Sequence, residues 1–306
     1  MKKTIAIVGP TAVGKSALGL KLAQKFDGEI ISGDSMQIYR HLDIGTAKDS
    51  LEELAVVPHH LVDICDVSQR YTVKDFQENA EIAIDSIISQ GKTPFIVGGT
   101  GFYLNSLLKN LHLGGNNDSD PNLREQLLKQ EKEQGIESLQ TQLISLDPVA
   151  AKLIDMDNPR RVIRAIEVFK TTGRSIVEQD NGDKIADFKI IGLTDDRQKL
   201  YERINQRVDK MVEMGLLAEA KQVYDHQDEI PQAKNGIGYK ELFPYFAHQA
   251  DLDSCLIELK KNSRHFAKRQ LTYFRNQMDV DWYNITEQPD YYQSVVEDIQ
   301  KFLLEK

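Results

Sequence analysis

Hydrophobic positions change their period several times along the chain, and each change predicts an element. Thr4 to Val8 is a short β-rich apolar run ending in a Gly-containing turn, after which Leu18, Leu22 and Phe26 recur at the spacing of one helix face. Strand, loop and helix are predicted. Glu29 to Ser32 predicts a second strand, and Thr72 to Gln90 a helix with Phe76, Ala80, Ile84 and Ile87 on one side. A third strand, Pro94 to Val97, runs into Gly98-Gly99-Thr100-Gly101. Strands alternating with helices imply a parallel sheet with right-handed crossovers, whose ligands bind beyond the carboxyl ends of the strands.

Around Leu113 the pattern changes. Gly114-Gly115-Asn116-Asn117-Asp118-Ser119-Asp120-Pro121 has linker composition, and the chain from there to about Arg174 is polar and helical. Strand character returns at Phe188 to Thr194, so the expected organisation is a core from 1–114 and 186–306, interrupted by a helical insertion at 115–185. Helical spacing resumes at Leu200, Ile204, Val208 and Met211, and again from about Leu252 to Arg275, before a last short strand at Val280 to Asn284. The chain shows no internal repeat and no low-complexity tract.

Between the first strand and the first helix lies Gly9-Pro10-Thr11-Ala12-Val13-Gly14-Lys15-Ser16, which fits G-x-x-x-x-G-K-[ST] in the context that motif requires. Its glycines let backbone N–H groups turn inward on phosphate oxygens, the helix amino terminus adds positive potential, and Lys15 neutralises a further oxygen. Ser16 is placed to hold magnesium. The fold class expected is therefore α/β, a P-loop NTPase-like parallel sheet with flanking helices plus the helical insertion.

Such a cradle takes a nucleotide such as ATP or a bare diphosphate, which share shape and charge. Many ATPases end a core strand with an acid that holds magnesium, yet Phe95-Ile96-Val97 leads into Gly98-Gly99-Thr100 without one. That absence argues against simple ATP hydrolysis. The acid at a strand end is instead Asp34, in Ile30-Ile31-Ser32-Gly33-Asp34-Ser35. It suits a general base acting on an acceptor nucleophile, with a helix cap or a magnesium contact as the alternatives.

Composition adds bounds. Hydrophobic residues at 41% and charged residues at 28% are globular values, and no apolar run approaches the 18 or so residues of a membrane span. The amino terminus leads straight into a strand, so no cleavable signal is expected and the expected compartment is cytoplasmic. Cys65 and Cys255 are too few for a disulfide framework or a four-ligand zinc site and read as ordinary thiols. The net charge of -9 disfavours polyanions on average. Positive charge is nevertheless concentrated: Lys260 to Arg275 carries +6 and Asn158 to Arg174 carries +4, leaving 27 basic and 46 acidic residues elsewhere. These runs are either solvated helix faces or a surface for a phosphate-rich partner.

Eight strings in order resemble the tRNA dimethylallyltransferases, also called tRNA isopentenyltransferases, in their bacterial form. They are GPTAVGKS from Gly9, GDSMQIY from Gly33, DIGTAK from Asp43, VPHHLVD from Val57, GGTGFYL from Gly98, NPRRVIRAIEV from Asn158, GIGYKE from Gly236 and AKRQLTYFR from Ala267. The resemblance implies transfer of a dimethylallyl group from dimethylallyl diphosphate to N6 of adenosine 37 in the tRNA anticodon stem-loop. The cradle, with magnesium at Ser16, would hold the diphosphate, and Asp34 would accept the proton of the amine. Thr100 would orient the amine or the diphosphate, and Arg207 would clamp the diphosphate, with Arg203 as its rival. The adenosine would have to flip out of its loop, at a cost of a few kcal/mol.

Contacts to tRNA implied by the resemblance are Asp34, Ser35, Met36, Gln37 and Thr100, then Arg124 of the insertion and Pro159, Arg160, Arg161, Val162 and Ile163. Gly236, Ile237, Gly238, Tyr239 and Lys240 follow, and Lys268 and Arg269 in the +6 run suit phosphate tracking. Tyr273 and Phe274 nearby could stack on bases or belong to the core. The chain departs from the family pattern at Asp49, where proline is expected, at Val67-Ser68 and at Tyr273, none of which is expected to touch the chemistry. His59 and His60 are adjacent on an extended segment, point to opposite faces and read as structural. A monomer with no membrane association is expected. The competing readings are a P-loop kinase for a small molecule or nucleoside, an RNA-binding switch, and a prenyltransferase for free adenine nucleotides.

Overall fold

A computed structural model describes residues 2–111, 121–178 and 182–305. The linker expected at Gly114 to Pro121 lies outside them up to Asp120. Two compact units emerge, Met1–Leu108 with Lys184–Lys306, and Lys109–Asp183.

The first unit is built on six parallel strands among the described residues: β1 (Lys3–Val8), β2 (Gly28–Ser32), β3 (His59–His60), β4 (Thr93–Val97), β5 (Asp187–Thr194) and β6 (Asp281–Asn284). Their order across the sheet is β3-β2-β4-β1-β5-β6. The helices, in chain order, begin with α1 (Lys15–Lys25), α2 (Leu51–Leu54), α3 (Val73–Ser89) and α4 (Gly101–Leu108). The second unit contributes α5 (Pro121–Gln134), α6 (Ile136–Leu146), α7 (Pro148–Leu153) and α8 (Pro159–Thr172). The chain then adds α9 (Arg197–Glu213), α10 (Leu216–Asp225), α11 (Phe243–Phe246), α12 (Leu252–Gln277) and α13 (Tyr291–Leu304) to the first unit.

Side chains alternate across a strand, so the sheet feeds two cores. Ile5, Ile7, Ile30, Phe95 and Val97 face Leu18 and Leu22 of α1, Leu200 and Ile204 of α9 and Val295 and Ile299 of α13. Their neighbours Ala6, Val8, Ile31 and Ile96 face Phe76, Ala80, Ile84 and Ile87 of α3, with Leu104 and Leu107 of α4. A capping box of Thr72 and Asp75 opens α3 by satisfying its first amides. Because β1 is central and its neighbour β4 is parallel to it, the loops after both strands meet at one sheet edge, where a ligand can reach them.

In the second unit, α8 starts on the side chain of Asn158, which accepts from the Arg160 and Arg161 amides, with Pro159 at the first helical position. Val162, Ile163, Ala165 and Ile166 then form a core with Leu127, Leu139 and Leu143. Val162 and Ile163 are 0% and 1% exposed. As side-chain contacts to tRNA they must be corrected, since the apolar stripe that makes α8 a helix in this unit turns their side chains into its core. Glu167 is buried too, held by Arg124 at 3.0 Å and by Arg164 at 3.7 Å.

Candidate active site

The loop from Gly9 to Gly14 turns back over the end of β1 only because of its glycines. Gly9 has φ +144°, and a Cβ there would lie 2.6 Å from the Leu193 carbonyl oxygen, while Gly14 sits at φ +100°. Lys15, the first residue of α1, folds back so that its Nζ donates to the Pro10 carbonyl at 2.8 Å. Burial and the neighbouring Arg207 guanidinium depress its pKa to about 7, against an opposing pull from Asp34.

The cradle is braced by distant residues. Gln270 of α12 accepts from the Thr11 amide at 2.8 Å and donates to the Gly99 carbonyl at 2.9 Å, tying the loops after β1 and β4 together. Its side chain is buried at the spacing of Phe266 and Phe274, and a glutamine on that apolar stripe was the available signal. Arg207 of α9 donates to Thr11 Oγ1 at 3.2 Å and reaches the Ala47 carbonyl at 3.5 Å. Arg203, one turn earlier, pairs with Asp195 and also lines the ionic cavity. Of the two arginines, Arg207 makes the hydrogen bond to the cradle.

Asp34 follows β2. Its Oδ1 accepts from the Met36 amide at 2.8 Å, an Asx turn that fixes the carboxylate and leaves the other oxygen outside that bond. Thr100 Oγ1 accepts from the Ser35 amide at 3.0 Å, so its hydroxyl shapes the loop that carries Asp34. Gly98 permits this, since a Cβ on it would lie 2.3 Å from the Gly33 backbone. Gln37 accepts from the Ser32 hydroxyl and donates to the Ala47 carbonyl, joining that loop to the segment after Asp43. Glu219 holds the segment itself by accepting from the Asp43, Ile44 and Gly45 amides at 2.8, 2.9 and 2.8 Å and from the Tyr239 hydroxyl at 2.8 Å.

Two cavities result. One, of about 590 Å³, is lined by Thr11, Lys15, Ser16, Asp34, Asp49 and Arg207. The other, of about 610 Å³, is lined by Met36, Tyr39, Tyr71, Thr100, Tyr103 and Gln232, with Asp34 again on its wall. The first is ionic and the second aromatic, and Asp34 belongs to both. Tyr71, Gln232 and Glu219 escaped sequence reasoning because no local pattern marks them, and Tyr103 because its string, GGTGFYL, gives its side chain no role. Asp49 needs a correction: expected to stand apart from the chemistry, it lines the ionic cavity together with Ser16.

The residues expected to contact tRNA divide by exposure. Arg124, Arg160, Arg161, Lys240, Lys268 and Arg269 are exposed, and Pro159, Ile237, Ser35 and Met36 are half-buried. Tyr239 is fully buried beneath Gly45 and Gly238 is buried with it, so this turn faces the aromatic cavity through Gly236, Ile237 and Lys240. Within the +6 run, Lys260 pairs with Asp209 at 2.5 Å, Lys261 with Glu258 at 3.1 Å, and Arg264 donates to Asn205 at 2.7 Å. Arg275 lies over the Trp282 ring. Lys268 and Arg269 instead line a groove of about 480 Å³ with His265 and Tyr273, whereas Phe274 is core. Cys65 and Cys255 are both free thiols, and burial raises the pKa of each. Among the described residues no helix is long and apolar enough to cross a membrane.

The family model described as IPP transferase matches residues 37–277. A tRNA dimethylallyltransferase of Limosilactobacillus reuteri is 51% identical over 292 residues, covering 95% of each chain. One from Streptococcus uberis is 52% identical over 307 residues, covering 100% of this chain and 97% of its own. Among solved structures, the tRNA isopentenylpyrophosphate transferase of Bacillus halodurans superposes with a TM-score of 0.72 at 42% identity, covering 98% of both chains. A eukaryotic dimethylallyltransferase, described as acting on tRNA, gives a TM-score of 0.79 at 31% identity, covering 97% of this chain and 78% of its own.

Proposed function

The chain belongs to the IPP transferase family, and on that premise we propose that this prenyltransferase alkylates N6 of adenosine 37 in tRNA with dimethylallyl diphosphate. The product is N6-dimethylallyladenosine. The observation that carries the reading is the position of Asp34, on the wall shared by an ionic cavity and an aromatic one.

In the proposed reaction the ionic cavity receives the diphosphate. Inward-facing amides of the cradle, Lys15 and Arg207 balance its charge, most strongly as the bond from C1 of the dimethylallyl group to oxygen breaks and the electron pair leaves with the diphosphate. The adenine enters the aromatic cavity after flipping out of its stack, at a cost of about a few kcal/mol, and Tyr39, Tyr71 and Tyr103 offer apolar ring faces around it. Its exocyclic amine is a weak nucleophile because the lone pair is delocalised into the ring. As N6 forms its bond to C1, Asp34 takes the proton from N6. Thr100 keeps that carboxylate in place through the Ser35 amide.

The donor set suits magnesium. Ser16 supplies a hydroxyl beside the Asp49 carboxylate, and among the described residues no group of three or more His, Cys, Asp or Glu side chains could hold a metal alone. Magnesium takes much of its shell from phosphate and water, which fits so sparse a protein contribution. When bound, the ion supplies Lewis-acid neutralisation of the diphosphate. Exposed Arg160, Arg161, Lys240, Lys268 and Arg269 would track the phosphate backbone of the anticodon stem-loop. Every group named comes from one chain, so the reaction as proposed needs only a monomer.

The test is incubation with dimethylallyl diphosphate, magnesium and unmodified tRNA, followed by mass spectrometry of the nucleosides. A dimethylallyl adduct on adenosine 37 is expected. An unmodified adenosine together with phosphate transfer from γ-labelled ATP would replace the proposal with a kinase.

A further inference from the structure

P-loop cation sites commonly add a carboxylate from the end of a neighbouring strand to the hydroxyl that closes the loop. Here β4 ends in Phe95-Ile96-Val97 and continues as Gly98-Gly99-Thr100, with no acid to offer. A carboxylate reaches the same place from another part of the chain. Asp49 lines the ionic cavity together with Ser16, its side chain 17% exposed.

Its support is specific. The segment before it is pinned by Glu219, and Lys48 is tied to Asp43, to Asp63 at 2.6 Å and to the Tyr39 carbonyl at 3.1 Å. Behind Asp49 stands His59, whose side chain is 5% exposed. The His59 Nδ1–H donates to the Val57 carbonyl at 2.8 Å, an assignment required because that carbonyl can only accept. Nε2 is buried, without a hydrogen-bond partner, and 3.8 Å from the Asp49 carboxylate. At that separation the ring nitrogen and the carboxylate make no direct hydrogen bond, and a shared partner between them would satisfy both. Water bound to a cation is such a partner, and carboxylate–histidine pairs of this kind commonly orient metal ligands. Glu53, the other nearby acid, already accepts from the Ser50 amide at 2.9 Å in a capping box and is not free for this task.

We propose that Asp49 is the carboxylate arm of a divalent-cation site built on Ser16, with His59 as the residue that positions it. The inference rests on the reading of Ser16 as a cation holder given above. It replaces the absent strand-end acid with one from a loop, at a position where the family pattern has proline.

Manganese serves as the probe, titrated into the full-length protein saturated with inorganic pyrophosphate, with free Mn2+ read by electron paramagnetic resonance. Asp49→Asn is expected to weaken Mn2+ binding about 10- to 100-fold, and His59→Asn about 3- to 10-fold. Pyrophosphate affinity in metal-free buffer should be unchanged or tighter, because the substitution removes a negative charge beside the anion. Mn2+ affinity within twofold of wild type in Asp49→Asn overturns the proposal, as does an equal loss of pyrophosphate binding without metal. Ser16→Ala separates the two levels: loss of Mn2+ there with none in Asp49→Asn refutes the carboxylate arm alone, and loss in neither refutes the cation site itself.

Discussion

The two ends of the cleft are built in opposite ways. The ionic end is a run of eight residues, Gly9 to Ser16, that links one strand to one helix, and in the proposed reaction it acts chiefly through backbone amides placed by Gly9 and Gly14. The aromatic end gathers Tyr39, Tyr71, Tyr103 and Gln232 from segments far apart in the chain, and it acts through side chains. A backbone site tolerates almost any neighbour and announces itself as a motif. A side-chain site depends on the whole fold and leaves no local signature. Asp34 joins them because Gly98 lets the loops after β2 and β4 abut.

The largest expected effect comes from cutting that joint. Asp34→Ala should lower turnover by about 10²–10⁴-fold, the usual worth of a positioned base, while tRNA affinity stays within a few-fold. Single-turnover prenylation measured beside a tRNA binding isotherm checks both. Near-normal turnover would mean the two cavities are chemically independent and that Asp34 only shapes its loop.

Next in size is Arg207. If the ionic end stabilises the departing diphosphate, Arg207→Ala should cost about 10²–10³ in kcat, whereas Arg203→Ala should cost far less, since Arg207 and not Arg203 bonds the cradle at Thr11. Equal losses from both variants would show that α9 acts through general positive charge and not through the cradle contact.

How much of this was legible follows the same division. Every described strand but the two-residue β3, together with the cradle, Asp34 and the re-entry of the chain at β5, could be read because each is a local pattern of period or motif. The roles of Gln270, Glu219 and Gln232 could not, since each depends on a partner more than a hundred residues away: Gln270 bonds Thr11 and Gly99, Glu219 bonds Asp43, and Gln232 bonds Tyr71. The charge runs misled in a different way. Six cations counted along α12 suggest one patch, yet a helix turns every 3.6 residues, and Lys260, Arg264 and Arg275 were drawn to Asp209, Asn205 and Trp282. Val162 and Ile163 misled likewise, because a string that marks a family does not separate its packing residues from its surface ones.

The remaining surface cations give a smaller, more uniform effect. Replacing Lys268 and Arg269 together by glutamine should weaken tRNA binding about 10-fold and lower the slope of log affinity against log salt by about 1–2, with kcat at saturating tRNA unchanged. Filter binding across salt concentrations measures it. An unchanged slope would remove α12 from the tRNA surface and leave the two cavities as the only parts of the first unit that meet substrate.

The smallest expected effect isolates the ionic end from the aromatic one by pH. Lys15 has its pKa depressed from its ordinary value to about 7 by burial and by Arg207. Above pH 7 most of the free protein therefore carries it neutral. A diphosphate in the cradle favours the charged ammonium and raises that pKa, so binding must take up a proton at Lys15, and affinity falls as pH rises from 7 toward the bound-state value. A loss of about 3- to 10-fold in pyrophosphate affinity is expected between pH 7 and 8.5 beyond the ligand's own ionisation. Calorimetry in two buffers of different ionisation enthalpy should register the proton uptake directly. Lys15→Arg, which stays charged, should abolish that uptake, while adenosine binding in the aromatic cavity should show no such dependence in either protein. Proton uptake that persists in Lys15→Arg would assign the titration to another group and leave the cradle lysine charged before its ligand arrives.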